Sequence, residues 1–438
     1  MKTKKKFSKN KKVYVGFSAD ILHEGHIKIL KIAKSYGNLT VGLLTDSAIA
    51  EYRKLPNLTY SQRESLIKNI KYVDNVIPQT TLDYTKNLKK IKPDYVVHGD
   101  DWKNGVLRKT RNKVIQTLKK WNGKLIEPKY TDNISTSNIK DKIFEKGISP
   151  SLRLSKLKRL INSKKIVRIL ESHSALTGLI IEKLSYSQNK KNFEFDGMWS
   201  SSLTDSTLRA KPDNQSVDYA SRISALSDML DVTTKPIIFD ADNGGRIEHI
   251  PFLVKSLERS GVSSMIIEDK VGLKKNSLFK NQKGVKQDTI KNFSKKISLI
   301  KKVKNSSDFL LAARIESFIL GKKLDDALKR AVAYSKAGAD LIMIHSKSES
   351  PDEIFNFSKI FSKNKYSKPI IAVPSTYSKT HEKDLIKNGI KIIIYANQMM
   401  RSSYPAMLNT AKSILKYQRS YEIEKKIVSV KNMIELIK

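Results

Sequence analysis

The stretch FLLAARIESFILGKKLDDALKRAVAYSKAGADLIMIHSK, residues 309–347, holds one complete structural unit. FLLAARIES (309–317) is an apolar run that ends in Arg314 and Glu316. LDDALKRAVAYSKAGAD (324–340) repeats its apolar residues at intervals of three and four and stops at Gly338, as an amphipathic helix does. DLIMIHSK (340–347) is a second apolar run, ending in His345. Strand, crossover helix and strand in that order build a parallel sheet. The unit recurs on both sides: IVRILESH (166–173), FEFDGMWSSS (193–202), PIIFDADN (236–243), SSMIIEDK (263–270), PIIAVPST (369–376) and KIIIYAN (391–397). Together these runs predict a (β/α)8 barrel of the TIM type.

Each run ends in chemistry: Glu171-Ser-His173, Trp199-Ser-Ser201, Asp240-Ala-Asp242, Glu268-Asp-Lys270, Arg314-Ile-Glu316, His345-Ser-Lys347, Ser375-Thr376 and Asn397. The C-terminal ends of barrel strands carry the active site. Asp240, Asp242 and Glu268 place three carboxylates on neighbouring strands, and a cation between them relieves their repulsion. Oxygen ligands without His or Cys suit a magnesium ion that keeps several waters. Asp242 can also be read as a capping residue of the DNGG turn. Arg314 offers a planar fork for carboxylate or phosphate, and with His345 and the metal it defines a pocket for a small, highly anionic molecule. His345 can equally be a packed rim histidine. The long polar connection VGLKKNSLFKNQKGVKQ (271–287) reads as a lid that brings Lys274, Asn276 and Ser277 onto a substrate, or as a solvated surface loop.

Upstream lies a second alternation: VYVGFSAD (13–20), LTVGLLTD (39–46), NVIPQ (75–79), YVVHG (95–99) and KLIEP (124–128). It predicts a small, doubly wound, Rossmann-like α/β domain with a parallel sheet. The pattern stops near Gly147–Ser151, so the expected domains are 1–147 and 152–438. After the first strand, GFSADILHEGH (16–26) sets His23 and His26 at a predicted helix start, where backbone N–H groups and the helix dipole favour phosphate. Two imidazoles there can stabilise the pentacoordinate phosphate of a nucleotidyl transfer.

Composition excludes several classes. The 438 residues contain no Cys, which removes disulfides, thiolate nucleophiles and Cys-ligated metals, and a cytoplasmic enzyme is expected. MKTKKKFSKNKK (1–12) is followed by no apolar run long enough for a signal peptide. No segment reaches the ~18 apolar residues of a membrane span. With 83 Lys and Arg against 43 Asp and Glu, the net charge is +40. Such a charge suits nucleic acid or anionic membranes. The lysines are spread along the whole chain, without an RNA-binding aromatic signature, zinc-finger spacing or basic zipper. Small anionic substrates, no specific nucleic acid and no membrane are therefore expected.

The motifs carry a resemblance. EDKVGLKKNSL (268–278) resembles the gating loop of phosphoenolpyruvate mutases, within the isocitrate lyase superfamily; FDGMWSSSLTDS, DADNGG, ARIESF, HSK and the terminal KIVSVKNMIELI resemble that family's other segments, in order over about residues 152–438. The resemblance implies interconversion of phosphoenolpyruvate and phosphonopyruvate. Asp240 would anchor magnesium, with Asp242 and Glu268 holding its waters. Trp199, Ser201, Ser202 and Leu203 would line the pocket. Asp213, Lys274, Asn276, Ser277, Arg314 and His345 would surround the migrating phosphoryl group and the enolate. Ser202 stands where the family often has Gly, and Lys275 where it often has Thr. The superfamily's lyases use a Cys in a KKCGH loop, which KKNSL lacks. Phosphonopyruvate hydrolase, with a degenerate N-terminal domain, is the alternative. The family's dimers and tetramers imply a homo-oligomer.

GFSADILHEGH, YVVHGDDW (95–102) and ISTS (134–137) resemble the cytidylyltransferases over about residues 12–142. That resemblance implies a nucleotide site of Gly16, Phe17, Asp20, Lys54, Arg63, Asp100, Ser135, Thr136 and Ser137, with His23 and His26 catalytic. Where the family commonly has R-T-x-G, this chain has Tyr130-Thr-Asp-Asn133. The fusion resembles the bifunctional cytidylyltransferase–mutases of fosfomycin-type phosphonate biosynthesis, which implies transfer of CMP from CTP to a phosphonate.

Overall fold

The computed structural model describes residues 10–52, 54–103, 107–129, 149–188, 191–272, 274–279 and 282–437. Near the N-terminus, β1 (Lys12–Phe17), β2 (Asn38–Leu44), β3 (Asn75–Gln79), β4 (Tyr95–Val97) and β5 (Lys124–Ile126) form one parallel sheet in the order β3-β2-β1-β4-β5. The order reverses beside β1, so a crevice opens at its C-terminal end, where open α/β sheets bind ligands. Helix α1 (Glu24–Tyr36) starts there and buries Leu30 and Ala33 against the sheet.

Eight parallel strands close the barrel: Val167–Glu171, Gly197–Ser200, Ile237–Asp240, Ser264–Glu268, Leu310–Ile315, Leu341–Ile344, Ile370–Ala372 and Ile390–Tyr395. Each pairs with its neighbours in sequence, and the last pairs with the first. Side-chain alternation sorts every strand into two layers. Ile237, Phe239, Met265 and Ile267 pack outward against helix residues such as Leu253, Leu257 and Phe293. Ile238, Ile266, Ala312 and Met343 fill the interior.

Two further contacts shape the barrel's ends. The helix Pro150–Ser163 starts from Ser149, whose hydroxyl accepts from Leu152 N, with Pro150 in its first turn. Its Leu157, Leu160 and Ile161 join the interior cluster, and Leu55, from the loop after the short helix Asp46–Ala50, packs on the same cluster. At the other end of the chain, the helix Gln398–Tyr417 leaves Tyr404, Met407 and Leu415 exposed. No helix among the described residues is long and apolar enough to cross a membrane.

Candidate active sites

The period of two that fills the barrel interior also decides which polar residues face its mouth. Asp240 follows Ile238 on the inward face, Glu268 follows Ile266, Arg314 follows Ala312 and His345 follows Met343. All four line one cavity of about 520 Å³, together with Trp199, Ser201, Ser202, Leu203, Asp213, Lys274, Asn276 and Ser277.

Of the 271–287 connection, Lys274, Asn276, Ser277 and Leu278 line this cavity, while Phe279 is exposed. Asp213 holds the connection at two points: Oδ1 accepts from Lys274 Nζ at 2.8 Å and Oδ2 from Asn276 Nδ2 at 2.9 Å. Lys274 also contacts Ser202 Oγ and Asp242. Ser277 Oγ donates to Glu316 Oε2 at 2.6 Å and accepts from Lys270 Nζ and Arg314 Nη2, each at 2.7 Å. Burial works against the charge on Lys274, but Asp242, Asp240 and Asp213 outweigh it and hold the ammonium protonated.

Arg314 is fixed by its own strand: Nε donates to Glu316 Oε1 at 2.5 Å. Burial pushes the Glu316 carboxyl up, but Arg314 and His345 outweigh it and hold its pKa well below the usual range. Arg314 Nη2 also donates to His345 Nδ1 at 3.1 Å, which requires the neutral ring. Burial, then the guanidinium, push the His345 pKa down, in agreement with that bond. Sequence reasoning missed Arg222, which is 1% exposed and donates to Asp205 Oδ2 (2.8 Å) and Asp240 O (2.6 Å). It sits in the first turn of the helix Tyr219–Asp231, where one Arg carries no periodic signal.

The three carboxylates are not a ready-made cage. Among the described residues no group of three or more His, Cys, Asp or Glu is arranged to hold a metal ion. Asp240 and Glu268 face the cavity, but Asp242 turns onto Lys274 and lies 3.6 Å from Arg222. Asp242 is thus already paired with two cations, which leaves Asp240 and Glu268 as the carboxylates that line the cavity. Burial raises the Glu268 pKa to about 7, so a cation nearby would favour its charged form. Two oxygen donors in a space with room for water fit a magnesium ion held by few protein ligands.

The second cavity, of about 1000 Å³, opens at the C-terminal end of β1 and is lined by Gly16, Phe17, His23, His26, His98 and Lys129, among others. The His23 and His26 rings lie 4.0 Å apart. Burial lowers the His23 pKa. Tyr84 OH donates to Gly16 O at 3.0 Å, and a Cβ on Gly16 would meet that ring at 2.5 Å, so only glycine fits. His98 stacks on Trp102 at 3.8 Å, and Glu127 holds Trp102 Nε1 and Arg111 behind it.

Several expected nucleotide residues lie elsewhere. Lys54 pairs with Glu182 of the barrel at 3.0 Å, and Arg63 is fully buried, donating to Leu44 O (2.8 Å) and Asp46 (2.7 Å). Neither is among the residues that line the cavity, and each is paired with an oxygen of the protein instead. Asp20 lies behind the wall, accepting from Asn57 N at 2.6 Å, and Asp100 opens the short turn Asp100–Lys103. Tyr130–Asn133, Ser135, Thr136 and Ser137 lie outside the described residues. Lys129, which the sequence reading passed over, is the one Lys or Arg among the described lining residues.

Fold and cavities define the class: a (β/α)8 barrel for small anions, joined to a nucleotidyltransferase-type α/β unit. Residues 157–415 match the phosphoenolpyruvate phosphomutase family, and residues 14–142 the cytidylyltransferase-like family. The chain is 34% identical to a phosphoenolpyruvate phosphomutase of Tetrahymena pyriformis, over 66% of this chain and 92% of that protein. Its N-terminal part is 33% identical to glycerol-3-phosphate cytidylyltransferase of Bacillus subtilis, over 30% of this chain and 97% of that protein. Among solved structures, a phosphoenolpyruvate phosphomutase from Streptomyces platensis subsp. rosaceus superposes with a TM-score of 0.59 at 29% identity, covering 66% of this chain and 95% of that one. A phosphonopyruvate hydrolase solved with oxalate and Mg++ gives 0.58 at 26%, with the same coverages. The chain belongs to the phosphoenolpyruvate phosphomutase family and carries a cytidylyltransferase-like N-terminal domain.

Proposed function

We infer that this two-domain enzyme interconverts phosphoenolpyruvate and phosphonopyruvate in the barrel and transfers CMP from CTP to a phosphonate in the N-terminal domain. The observation that carries the barrel reading is the lid segment closed over the cavity, with Lys274, Asn276 and Ser277 meeting Asp213, Glu316 and Arg314. Moving a phosphoryl group from oxygen to carbon breaks a P–O bond and makes a P–C bond within one molecule. The loose species between them needs positive charge and the exclusion of water. Arg314 and Lys274 supply fixed charge, His345 and Asn276 supply polar contacts, and the lid keeps water out. Trp199, Ser201, Ser202 and Leu203 form the wall that orients the enolate. Asp240 would hold a magnesium ion, with Asp242 and Glu268 on its waters; the ion supplies charge stabilisation to the anionic substrate.

In the N-terminal domain, His23 and His26 would stabilise the nucleotidyl-transfer transition state, and Lys129 would meet the phosphates. The cavity there is about twice the size of the barrel's, in keeping with a nucleotide plus an acceptor. A cytoplasmic homo-oligomer, dimer or tetramer, completes the reading.

Phosphorus NMR of the protein with phosphonopyruvate and magnesium tests it. Phosphoenolpyruvate as the main product is expected, because the carbon–phosphorus side is uphill. Pyruvate and inorganic phosphate as the only products would make the barrel a phosphonopyruvate hydrolase.

A further inference from the structure

The helix Pro150–Ser163 faces two ways. Leu157, Leu160 and Ile161 enter the barrel interior, while Arg159 reaches into the N-terminal unit. Its guanidinium donates to Pro56 O (2.7 Å), Asn57 O (3.0 Å) and Leu58 O (3.4 Å), and lies 3.4 Å from Asp46 Oδ2. The other oxygen of Asp46 takes Arg63 Nη2 at 2.7 Å. Arg63 then donates to Ser18 O at 2.5 Å, to Leu44 O at 2.8 Å and to Leu58 O at 3.3 Å. Ser18 and Leu44 line the nucleotide cavity.

The segment that Arg159 holds by its carbonyls is held from the cavity side by its amides: Asp20 Oδ1 accepts from Asn57 N (2.6 Å) and Leu58 N (3.4 Å). Between Ser18 and Asp20 sits Ala19 with φ 53°, a left-handed conformation that a non-glycine residue keeps only when neighbours over-determine it. Those neighbours are Arg63 on one side and the 57–58 amides on the other. Both lead to Arg159 within one further contact. The strained turn opens the loop that delivers His23.

We propose that Arg159 of the barrel's floor helix is a positioning residue for the nucleotidyl-transfer site, so that the barrel holds the His23 loop in its working shape. The proposal rests on the reading of the N-terminal cavity as a nucleotide site. Arg159 lines neither the nucleotide cavity nor the barrel cavity. Losing it removes four hydrogen bonds, made by two guanidinium nitrogens to the 56–58 carbonyls and Asp46, and leaves the segment that Asp20 holds by its amides without its hold from the carbonyl side.

The test uses the full chain with Arg159→Ala and Arg159→Lys, read by amide hydrogen exchange over residues 16–23, CTP-dependent pyrophosphate release and phosphonopyruvate conversion. For Arg159→Ala, faster exchange in that loop and about a tenfold loss in kcat/KM for CTP are expected, the scale of a lost charge-assisted hydrogen bond. Barrel turnover stays at the wild-type rate. Arg159→Lys recovers part of the loss, because an ammonium meets Asp46 but cannot span three carbonyls. Unchanged exchange in the loop overturns the proposal, and so do equal losses at both sites, which would make Arg159 a general structural clamp. If the wild-type chain releases no pyrophosphate with CTP and any phosphonate, the nucleotidyl-transfer reading falls instead, and loop exchange still decides the role of Arg159.

Discussion

Asn276 and Ser277 are adjacent in the chain yet answer to different neighbours. Asn276 reaches Asp213, while Ser277 sits among Lys270, Arg314 and Glu316. Asn276 is partly exposed and carries little packing, so Asn276→Ala should lower barrel turnover strongly while leaving the melting temperature near wild type. Unchanged turnover would take the lid contact out of the chemistry. Asp240 is different: it is 6% exposed, and Ser202 Oγ donates to it at 2.9 Å. Asp240→Ala should abolish phosphonopyruvate conversion, since it removes the proposed metal anchor; a fully active variant would remove Asp240 from the site. In the other cavity, His26→Ala should reduce transition-state stabilisation by about 2.7–4 kcal/mol, the scale of one preorganised donor. Pyrophosphate release with CTP and an alkylphosphonate measures it. Barrel turnover should be untouched, because its cavity is lined by residues beyond position 165.

At the scale of elements, ion pairs join the two units across the junction. Glu182, near the end of the helix Ala175–Lys183, meets Lys54 across the domain boundary and Thr233 Oγ1 at 2.9 Å within the barrel. Burial raises its pKa, but Lys54, Lys235 and the hydrogen bonds outweigh that and hold it below the ordinary 4.5. A carboxyl depressed on folding stabilises the fold above its unfolded value, and that contribution is lost as pH falls through the folded one. Glu182→Gln should therefore lower stability at neutral pH by about 1–2 kcal/mol, at the small end because Lys54 is solvent-exposed. The gap to wild type should close on acidification below 4.5. Thermal melts across that range check the sign; a gap that widens in acid would mean Glu182 is not charged in the fold.

For the molecule as a whole, the +40 charge asks for a partner, and the two cavities answer with small anions. Binding to duplex DNA should be weak, steep in salt and indifferent to sequence. Fluorescence anisotropy in physiological salt tests this, and a sub-micromolar specific site would restore the nucleic-acid reading. What the sequence determined by itself was every feature that repeats locally: thirteen strand runs, the barrel count and the ring of Asp240, Glu268, Arg314 and His345. A strand's period of two commits each residue to a face before any partner is known. His23 and His26 were legible for a different reason, being set at the start of a helix. Only the tertiary structure decided the partners of Lys54, Arg63, Arg159 and Arg222. A lone cation in a loop or helix has no period, and its partner is chosen by distance across the folded chain. Lys54 finds Glu182 128 residues away, and Arg159 finds Asp46 113 residues away. Two domains that read as independent in the sequence are thus joined by charges that the sequence could not pair.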